Sequence, residues 1–508
     1  MKKLRRQWKG LSALLALVMI LAGCQSAAGL DVTKALLGNL DVRSSESSLT
    51  LTVKADPAVG IDEDSRRAVE LINSLSVRLD TVKRQENGEV SATGSLGLKN
   101  YRVPFRMYLN NEVMAILPEG ARHPYYIALA DAQEQLGGWK PDAKKTEEIG
   151  RALTSLVVRN LPNPSVFSVT PVTENVYGRS LSLAKIHGEV TGDELPALLK
   201  GFLKSVSKDP EGLNQVVGGL YDYLLPLLKQ EAVSKELDSI GLSGIPLDNK
   251  EEVVAVLQDA LKLGLDSLIL MYDKGKEELF KNTPELNTVL SKDTKLSADL
   301  YVDSGLHVRK EAYLLHIALP GNSELPLRSL EISAESQVWN LNGSDSAIQA
   351  DAIATDGGLE LGAEEPTPGT LLRNLDSQSD LYRLLKGEMG LTARTLYVDP
   401  VYDDYYETVN VKGTLMIPIR YLADDLDATV QWDAGSKTIT VTDDVYGSTL
   451  VFKPGAKTAV IDGRTVSLPV PVFFDEYGTG YAPLRTLAAG LHAEIKTDEE
   501  GWIVVSRK

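Results

Sequence analysis

The 508-residue chain has one cysteine, Cys24, and only five histidines. A single cysteine excludes an intramolecular disulfide, and with Cys24 committed elsewhere it excludes thiolate chemistry as well. No histidine lies within four residues of another, so the His-x-x-x-His pair of a helical zinc site is absent. The five are His123, His187, His307, His316 and His492. We therefore predict no metal and no cofactor.

Catalytic motifs are equally scarce. Gly241-Leu242-Ser243-Gly244 falls short of a nucleophile elbow, because Ile245 occupies the last glycine position. Ser205-Val206-Ser207-Lys208 fits Ser-x-x-Lys, but no Ser-Asp-Asn or Lys-Thr-Gly accompanies it. The acidic clusters lack the central glycine and distal glutamate of a calcium loop, and we interpret them as solvated faces. They are Asp62-Glu63-Asp64, Asp403-Asp404 and Asp424-Asp425. The sequence predicts no catalytic residues, so we expect the protein not to be an enzyme.

Positive charge and aromatic residues are also in short supply. Aromatics make up 6% of the chain, and 53 basic residues face 70 acidic ones, for a formal net charge of −17. Such a surface repels nucleic acid and anionic lipid headgroups, so neither is an expected partner. The 43% of hydrophobic residues is enough for real cores, and the length favours two to four domains.

The N-terminus is basic and then apolar. Five Lys and Arg residues precede a run of 12 residues, Leu11 to Ala22, that only Ser12 interrupts. A bilayer span needs about 20 apolar residues, so this run predicts a secretory signal peptide rather than a stable span. The run closes at Leu21-Ala22-Gly23-Cys24.

Those four residues resemble the lipobox of bacterial lipoproteins. The resemblance implies that the thiol of Cys24 takes a diacylglycerol and that the peptide is cut just before it. Residues 1–23 are then the signal peptide, and the protein sits on the extracytoplasmic face of the cell membrane. The alternative is an ordinary signal peptide cleaved after Ala28, with Cys24 lost. Removing five positive charges brings the mature chain to about −22, with 48 basic against 70 acidic residues.

Residues 46–390 predict strands, then helices, then strands. After a small, polar tether over 24–45, alternating apolar residues predict an antiparallel meander from Leu49 to Leu117. Helical spacing follows over Asp142–Leu161 and from Asp193, a plausible N-cap, to about Leu290, with a strand-like interlude at 166–188. Within it, Glu251 to Tyr272 is the cleanest helix, with one predicted inward stripe of Val253, Val254, Leu257, Leu261, Leu265 and Leu268. Strand signals return over 296–361, and a last helix is expected from Thr370 to Lys386.

This order of elements predicts the α+β class, with a curved antiparallel sheet covered by helices on one face. It resembles the half-barrel of lipoprotein carriers and related lipid-binding lipoproteins in the order of its elements. The resemblance implies that a concave apolar face holds an acyl chain. The alternative is a sheet face filled by the helices themselves.

The last hundred residues contain a repeat at an offset of 65 residues. Ile417-Pro418-Ile419-Arg420-Tyr421-Leu422-Ala423 matches Ala482-Pro483-Leu484-Arg485-Thr486-Leu487-Ala488. In each copy proline opens a short helix with one apolar stripe, and a strand follows. Between the copies Asp462-Gly463 predicts a β-hairpin. We expect a small α+β domain at 408–508, built from two repeated helix-strand units with an intervening hairpin and joined through a linker at 391–407.

These motifs resemble the copper amine oxidase N-terminal-like, or stalk, domain, which is common in surface proteins of Gram-positive bacteria. The domain stands apart from the catalytic one, so the resemblance implies neither copper nor amine oxidation. Family members usually carry glycine just after the helix, where this chain has Asp427 and His492. That position needs a left-handed backbone, which Asp and His tolerate. Arg420 and Arg485 are either ligand contacts or structural residues that pin the helix start to a neighbouring strand.

The sequence thus predicts a non-catalytic, membrane-anchored lipoprotein that binds or scaffolds at the cell envelope through its stalk domain. The expected partners are the membrane and either a cell-wall polymer or an envelope protein. One alternative is a carrier of a lipid or other hydrophobic ligand in the 46–390 domain. A second is a cell-wall glycan hydrolase, since a carboxylate pair cannot be picked from 70 acids by sequence.

Overall fold

A computed structural model of the chain describes residues 32–129, 142–228, 249–322, 325–342, 348–362, 366–399, 407–499 and 501–507. The predicted signal peptide with Cys24 lies outside these residues, as do 400–406 of the predicted linker. The chain divides into two compact units. The first unit comprises Met1–Asn100, Arg106–Val113 and Leu129–Ala352, and the second comprises Tyr101–Phe105, Met114–Ala128 and Ile353–Lys508. The predicted division at 391–407 stays a prediction.

The protein mixes helices and strands, as predicted. Its helices are α1 (Val32–Gly38), α2 (Glu63–Asn73), α3 (Ala143–Asn160), α4 (Leu195–Ser207), α5 (Pro210–Leu228), α6 (Lys250–Asn282), α7 (Leu286–Val289), α8 (Pro368–Arg373), α9 (Asp380–Arg383), α10 (Ile419–Asp425) and α11 (Leu484–Gly490). The strands before residue 399 are β1 (Ser45–Pro57), β2 (Ser76–Arg84), β3 (Val90–Leu98), β4 (Tyr101–Leu109), β5 (Val113–Pro118), β6 (Tyr125–Ala128), β7 (Val166–Val176), β8 (Arg179–Thr191), β9 (Lys295–Val302), β10 (Val308–Ala318), β11 (Leu327–Trp339), β12 (Leu359–Glu360) and β13 (Arg394–Val398).

Eight strands of the large sheet lie in the first unit, in the order β3-β2-β1-β11-β10-β9-β8-β7. Every neighbouring pair among them is antiparallel. β1 is central to this order, because Leu51 lies opposite both Val77 of β2 and Ala334 of β11. Exposed Thr50, Thr52 and Lys54 alternate with half-buried apolar residues on β1, so the period of two gives the sheet one wet face.

Helices α3 to α7 lie within the ranges that the sequence predicted to be helical. Asp142 caps α3 by accepting hydrogen bonds from the backbone of Lys144 and Lys145, as expected for a helix start. α3, α4, α5 and α6 pack on one another through clusters that include Leu156, Leu213 and Val254. Among the described residues, no helix combines the length and apolarity needed to cross a membrane.

Several predictions for this region were wrong. The N-cap of α4 is Glu194, and Asp193 instead accepts a hydrogen bond from the hydroxyl of Thr191. The predicted tether contains α1, whose Val32 and Ala35 are fully buried against β8, β9 and β10. The small, polar composition of 24–45 gave no periodic signal for this short helix. The sequence analysis also missed α2, because its apolar stripe is short and many of its residues are charged. Asp62 from the acidic cluster is the N-cap of this helix.

The inward stripe predicted for the long helix was also wrong. Only Val253 and Val254 of α6 are buried, whereas Leu257, Leu261 and Leu268 are exposed. In the second unit, the strand signal predicted through Leu361 yields only β12, and the helix predicted over Thr370–Lys386 is broken into α8, α9 and a π-turn at Leu384–Glu388. Apolar spacing alone does not tell which apolar side of a helix faces the core.

The repeat at the C-terminus is confirmed element by element. We call residues 394–507 the C-terminal module; its remaining strands are β14 (Val409–Val411), β15 (Thr414–Pro418), β16 (Ala428–Asp433), β17 (Thr438–Asp443), β18 (Thr449–Phe452), β19 (Thr458–Ile461), β20 (Arg464–Ser467), β21 (Phe473–Phe474), β22 (Gly480–Pro483), β23 (Glu494–Thr497) and β24 (Ile503–Arg507). α10 and α11 start 65 residues apart, at Ile419 and Leu484. The hairpin β19–β20 turns at Asp462-Gly463, both with positive φ.

Three small sheets enclose one core in this module. β13 pairs with β24, so residues 394–398 of the predicted linker are an edge strand of the module. β15 pairs with β22, which joins the two copies of the repeat, and β16 to β20 form a five-stranded meander. The stripes of both helices face inward, because Leu422, Ala423, Leu487 and Ala488 are fully buried.

Candidate functional site

The two helix starts of the repeat lie at equivalent places, and each carries an exposed arginine. Pro418 and Pro483 precede α10 and α11 with φ of −55° and −59°, as the fixed proline ring requires. Arg420 and Arg485 are both exposed. Neither guanidinium hydrogen-bonds to a residue that the structure describes, so the expected pinning of the helix start is not observed there.

The position after each helix is left-handed, as predicted. Asp427 has φ of 49° and His492 has φ of 56°, although neither is glycine. His492 Nε2 lies 2.7 Å from the hydroxyl oxygen of Ser448, and its ring packs on Tyr446 with centroids 4.4 Å apart. The two copies therefore share a backbone and differ in what the left-handed side chain contacts.

Asp427 is the centre of a buried ion cluster. Its carboxylate accepts from Arg507 Nη2 at 2.7 Å and from Arg394 Nη2 at 2.8 Å. The side chain of Arg507 is fully buried and also donates to the carbonyl of Leu426. This cluster ties β13 and β24 to the end of α10, so its first consequence is structural.

Asp443 adds a second buried carboxylate to the same cluster. Its Oδ1 lies 3.6 Å from Arg507 Nη1, and burial raises the pKa of Asp443 while the charge of Arg507 opposes that rise. Burial likewise lowers the pKa of Arg507. Within the described residues, Asp443 Oδ2 and Arg507 Nε are buried without a hydrogen-bond partner. Because both charges are enclosed, the cluster offers no opening to a substrate.

Within the second unit, residues that precede the module interact with it through hydrogen bonds and a cation–π contact. Arg373 of α8 donates to Asp444 Oδ1 at 3.0 Å, and Thr367 donates to Asp444 Oδ2 at 3.2 Å. Lys386 Nζ lies 4.5 Å from the ring centroid of Tyr446, which is a cation–π contact. Gly369 approaches the backbone of Asp444 so closely that an added Cβ would lie 2.5 Å from its carbonyl carbon.

The outside of the module is rich in aromatic side chains. Among the described residues, seven of the eight exposed aromatic side chains belong to it, the eighth being Tyr177. The seven are Tyr397, Tyr421, Trp432, Tyr446, Phe474, Tyr477 and Trp502. Trp432 and Phe474 form an edge-to-face pair with centroids 5.3 Å apart, and Tyr477 follows on the turn after Phe474 with 86% of its surface exposed. Sequence reasoning missed this set, since nothing in a single sequence marks an aromatic residue as exposed.

The sequence motifs considered for chemistry are not assembled into a site. Ser205 donates to Asn160 Oδ1 at 2.7 Å, and Lys208 is exposed at the end of α4. His187 Nδ1 lies 2.6 Å from Asp299 Oδ1 and His307 lies beside Asp303. In the part of the chain that the structure describes, no group of three His, Cys, Asp or Glu residues is placed to hold a metal. Gly241 to Ile245, Asp403 and Asp404 lie outside that part.

A cleft of about 720 Å³ lies among α3, α5 and α6 in the first unit. Charged groups line it, and several of them are held in ion pairs. Asp222 accepts from Lys250 Nζ at 2.6 Å, and Arg151 bonds to Glu147 at 3.1 Å and to Asp41 at 2.8 Å. These pairs suit a solvated junction between helices.

Comparison with known proteins identifies the C-terminal module. The primary amine oxidase of Klebsiella aerogenes is 39% identical to this chain over 61 residues. That stretch is 12% of this chain and 8% of the enzyme, so the similarity does not extend to the rest of either protein. Residues 403–506 match the family described as the copper amine oxidase N-terminal domain, which is the domain that the repeated motifs predicted.

Proposed function

We propose that this protein is a non-catalytic envelope lipoprotein, anchored through Cys24, whose C-terminal module binds neutral glycan of the cell wall. The observation that carries the proposal is the concentration of exposed aromatic side chains on that module. An aromatic ring presents an apolar face of defined geometry, on which the C–H face of a sugar ring packs. The Trp432–Phe474 pair brings two aromatic rings together, with their planes at 89° to each other.

Charge supports a neutral ligand rather than an anionic polymer. The chain carries a formal charge of −17 before processing, so anionic wall polymers are repelled at long range. The family match supports a binding rather than a catalytic role, because it covers the N-terminal domain of the oxidases and only 8% of the Klebsiella enzyme.

Co-sedimentation with purified cell-wall sacculi tests the binding surface. We expect Trp432→Ala to weaken binding at least about tenfold, since losing one stacking ring of about 1.4 kcal/mol has that effect. Tyr177→Ala is the matched control, because Tyr177 is also exposed but lies in the first unit. Equal binding by both variants would assign the interaction to another surface.

Cell fractionation tests the anchor separately. A Cys24→Ala protein is expected to move from the washed membrane fraction to the soluble fraction, because the acyl chains that hold it can no longer be attached. If it stays on washed membranes in the same amount as the wild type, the lipid anchor is excluded.

A lipid-carrying role for the first unit is the second candidate. The observation that favours it is the incomplete burial of apolar residues on β1 and β11, where Leu49, Leu51, Val53 and Ile332 are only half-buried. A sheet face filled by its own helices would bury them. Native mass spectrometry of the purified protein tests this role. A co-purifying lipid mass supports lipid binding by the first unit, and the absence of such a mass indicates that the sheet face contacts solvent instead.

A further inference from the structure

One side of α6 is apolar and is left uncovered by the residues that the structure describes. Seven aliphatic side chains between residues 256 and 271 are exposed, and Leu263, Leu270 and Met271 by 69%, 86% and 67%. At 3.6 residues per turn the seven fall within about half of the circumference of the helix. We call them the α6 apolar face: Val256, Leu257, Leu261, Leu263, Leu268, Leu270 and Met271.

The rest of α6 is already engaged. Val254 packs with Val217 and Tyr221 of α5, and Leu265 packs against the cluster that includes Leu213. The charged residues lie along a separate flank, where Lys262 pairs with Asp266 at 2.7 Å. Because the inner side holds the helix in place, the apolar face is free to contact something outside the unit. Exposed apolar patches of this kind mark interaction sites.

The position of the proposed anchor indicates what that contact is. Val32, the first residue of α1, is fully buried, and only residues 25–31 separate it from Cys24. Extended chain spans at most 3.6 Å per residue, so α1 starts within about 30 Å of the lipid. α1 contacts α3, α3 contacts α5, and α5 contacts α6. The short segment therefore keeps α1, and the helices packed in series on it, within reach of the bilayer.

We propose that the α6 apolar face lies in the interfacial region of a neutral bilayer and is a second membrane contact beside the acyl anchor. This inference rests on the proposed anchoring at Cys24. The face is aliphatic and lacks the Trp, Tyr and Arg residues that dominate protein–protein hot spots. Lys274 follows one turn after Leu270, where its ammonium can reach the headgroups while its methylene stem stays on the apolar side. The net negative charge favours zwitterionic over anionic lipid.

The sequence permits a site-specific test. With Cys24 acylated no other thiol exists, so Leu263→Cys gives one labelling position for an environment-sensitive fluorophore. The lipidated full chain is purified in detergent and reconstituted on phosphatidylcholine vesicles with or without lipids that carry a quencher on the acyl chain. Val59→Cys is the control, because Val59 is 92% exposed in the same unit and lies in the connection between β1 and α2. Leu270→Cys repeats the measurement at a second position on the face.

We expect the labels at 263 and 270 to lose about half of their fluorescence to the lipid quencher, as an interfacially buried helix face does, while the label at 59 is unaffected. If the protein co-sediments with vesicles but neither α6 label is quenched, the inference is wrong and the anchor stands. If a fluorophore at 263 or 270 reports an apolar environment but is not quenched by the lipid quencher, the inference is also wrong. That result indicates that a second copy or a protein partner covers the face. If the protein does not co-sediment at all, the anchoring fails, and this inference fails with it.

Discussion

The C-terminal module and helix α6 expose apolar side chains of opposite kinds. The aliphatic core of the module is fully buried, with Leu422, Leu426, Leu487 and Leu491 at 0% exposure, and most of the large apolar side chains exposed outside it are aromatic. α6 exposes leucines over four turns and no exposed aromatic residue lies among them. Rings suit a ligand with a defined face, whereas flexible aliphatic chains suit a fluid apolar phase. The difference separates a glycan-binding region from a lipid-contacting one.

The two regions also differ in how rigidly they are held. The aromatic residues of the module stand on a core closed by the Asp427, Arg394 and Arg507 ion cluster. The α6 apolar face stands on a helix packed along one side only. Rigid support favours binding with a fixed geometry, and one-sided packing leaves the outer face available to lipid.

The largest expected effect comes from disrupting the buried ion cluster of the module. Asp427→Gly keeps the left-handed backbone but leaves the buried Arg507 without one of its two carboxylate partners, which costs about 3 kcal/mol in free energy of unfolding. His492→Gly is the matched variant at the equivalent position of the second repeat. It loses the contacts of His492 with Ser448 and Tyr446 but relieves a positive φ, so we expect a change within about 1 kcal/mol.

Urea unfolding of the full chain, followed by tryptophan fluorescence, measures both variants. Equal losses for Asp427→Gly and His492→Gly would show that the backbone at these positions matters and the ion cluster does not.

A second prediction compares a negative charge on the α6 apolar face with one in the buried core of the module. Leu263→Glu combined with Leu270→Glu is expected to leave the free energy of unfolding within about 0.5 kcal/mol of the wild type, because both side chains are exposed. The lipidated protein should still float with vesicles through its acyl chains, whereas a fluorophore elsewhere on the α6 apolar face should no longer be quenched by lipid. Leu487→Glu, which buries a carboxylate in the module core, should instead prevent folding of the module. Circular dichroism, vesicle flotation and lipid quenching distinguish the two results, and a destabilised double variant would mean that the α6 face is covered.

The smallest effect concerns the helices beneath α6. Asp142→Ala removes the cap of α3 and should cost about 1 kcal/mol, since two backbone N–H groups lose their acceptor. Asp193→Ala serves as the control, because the structure gives Asp193 no capping role and its loss should cost less than about 0.5 kcal/mol. Thermal unfolding followed by circular dichroism compares them. If Asp193→Ala lowers the stability more than Asp142→Ala does, Asp193 is a helix cap, as the sequence predicted.

How far the sequence predicts the structure also differs between the regions. The module follows from its repeat, because the same apolar spacing occurs twice and each copy constrains the other; even the left-handed backbone at Asp427 and His492 follows from the family pattern. The ion cluster does not, since Arg394 and Arg507 lie 33 and 80 residues from Asp427. On α6, apolar residues occupy both sides, so periodicity finds the helix but not its buried side. Exposure of aromatic rings depends on tertiary packing, which no local pattern reports.

One measurement tests the central claim most directly. The full chain is titrated with soluble, uncharged fragments of wall glycan while tryptophan fluorescence is recorded. We predict a saturable change that is lost in Trp432→Phe, which keeps an aromatic ring but removes the reporter, and is retained in Trp502→Phe. A change that persists in Trp432→Phe, or no saturable change in the wild type, would contradict glycan binding at the Trp432–Phe474 pair.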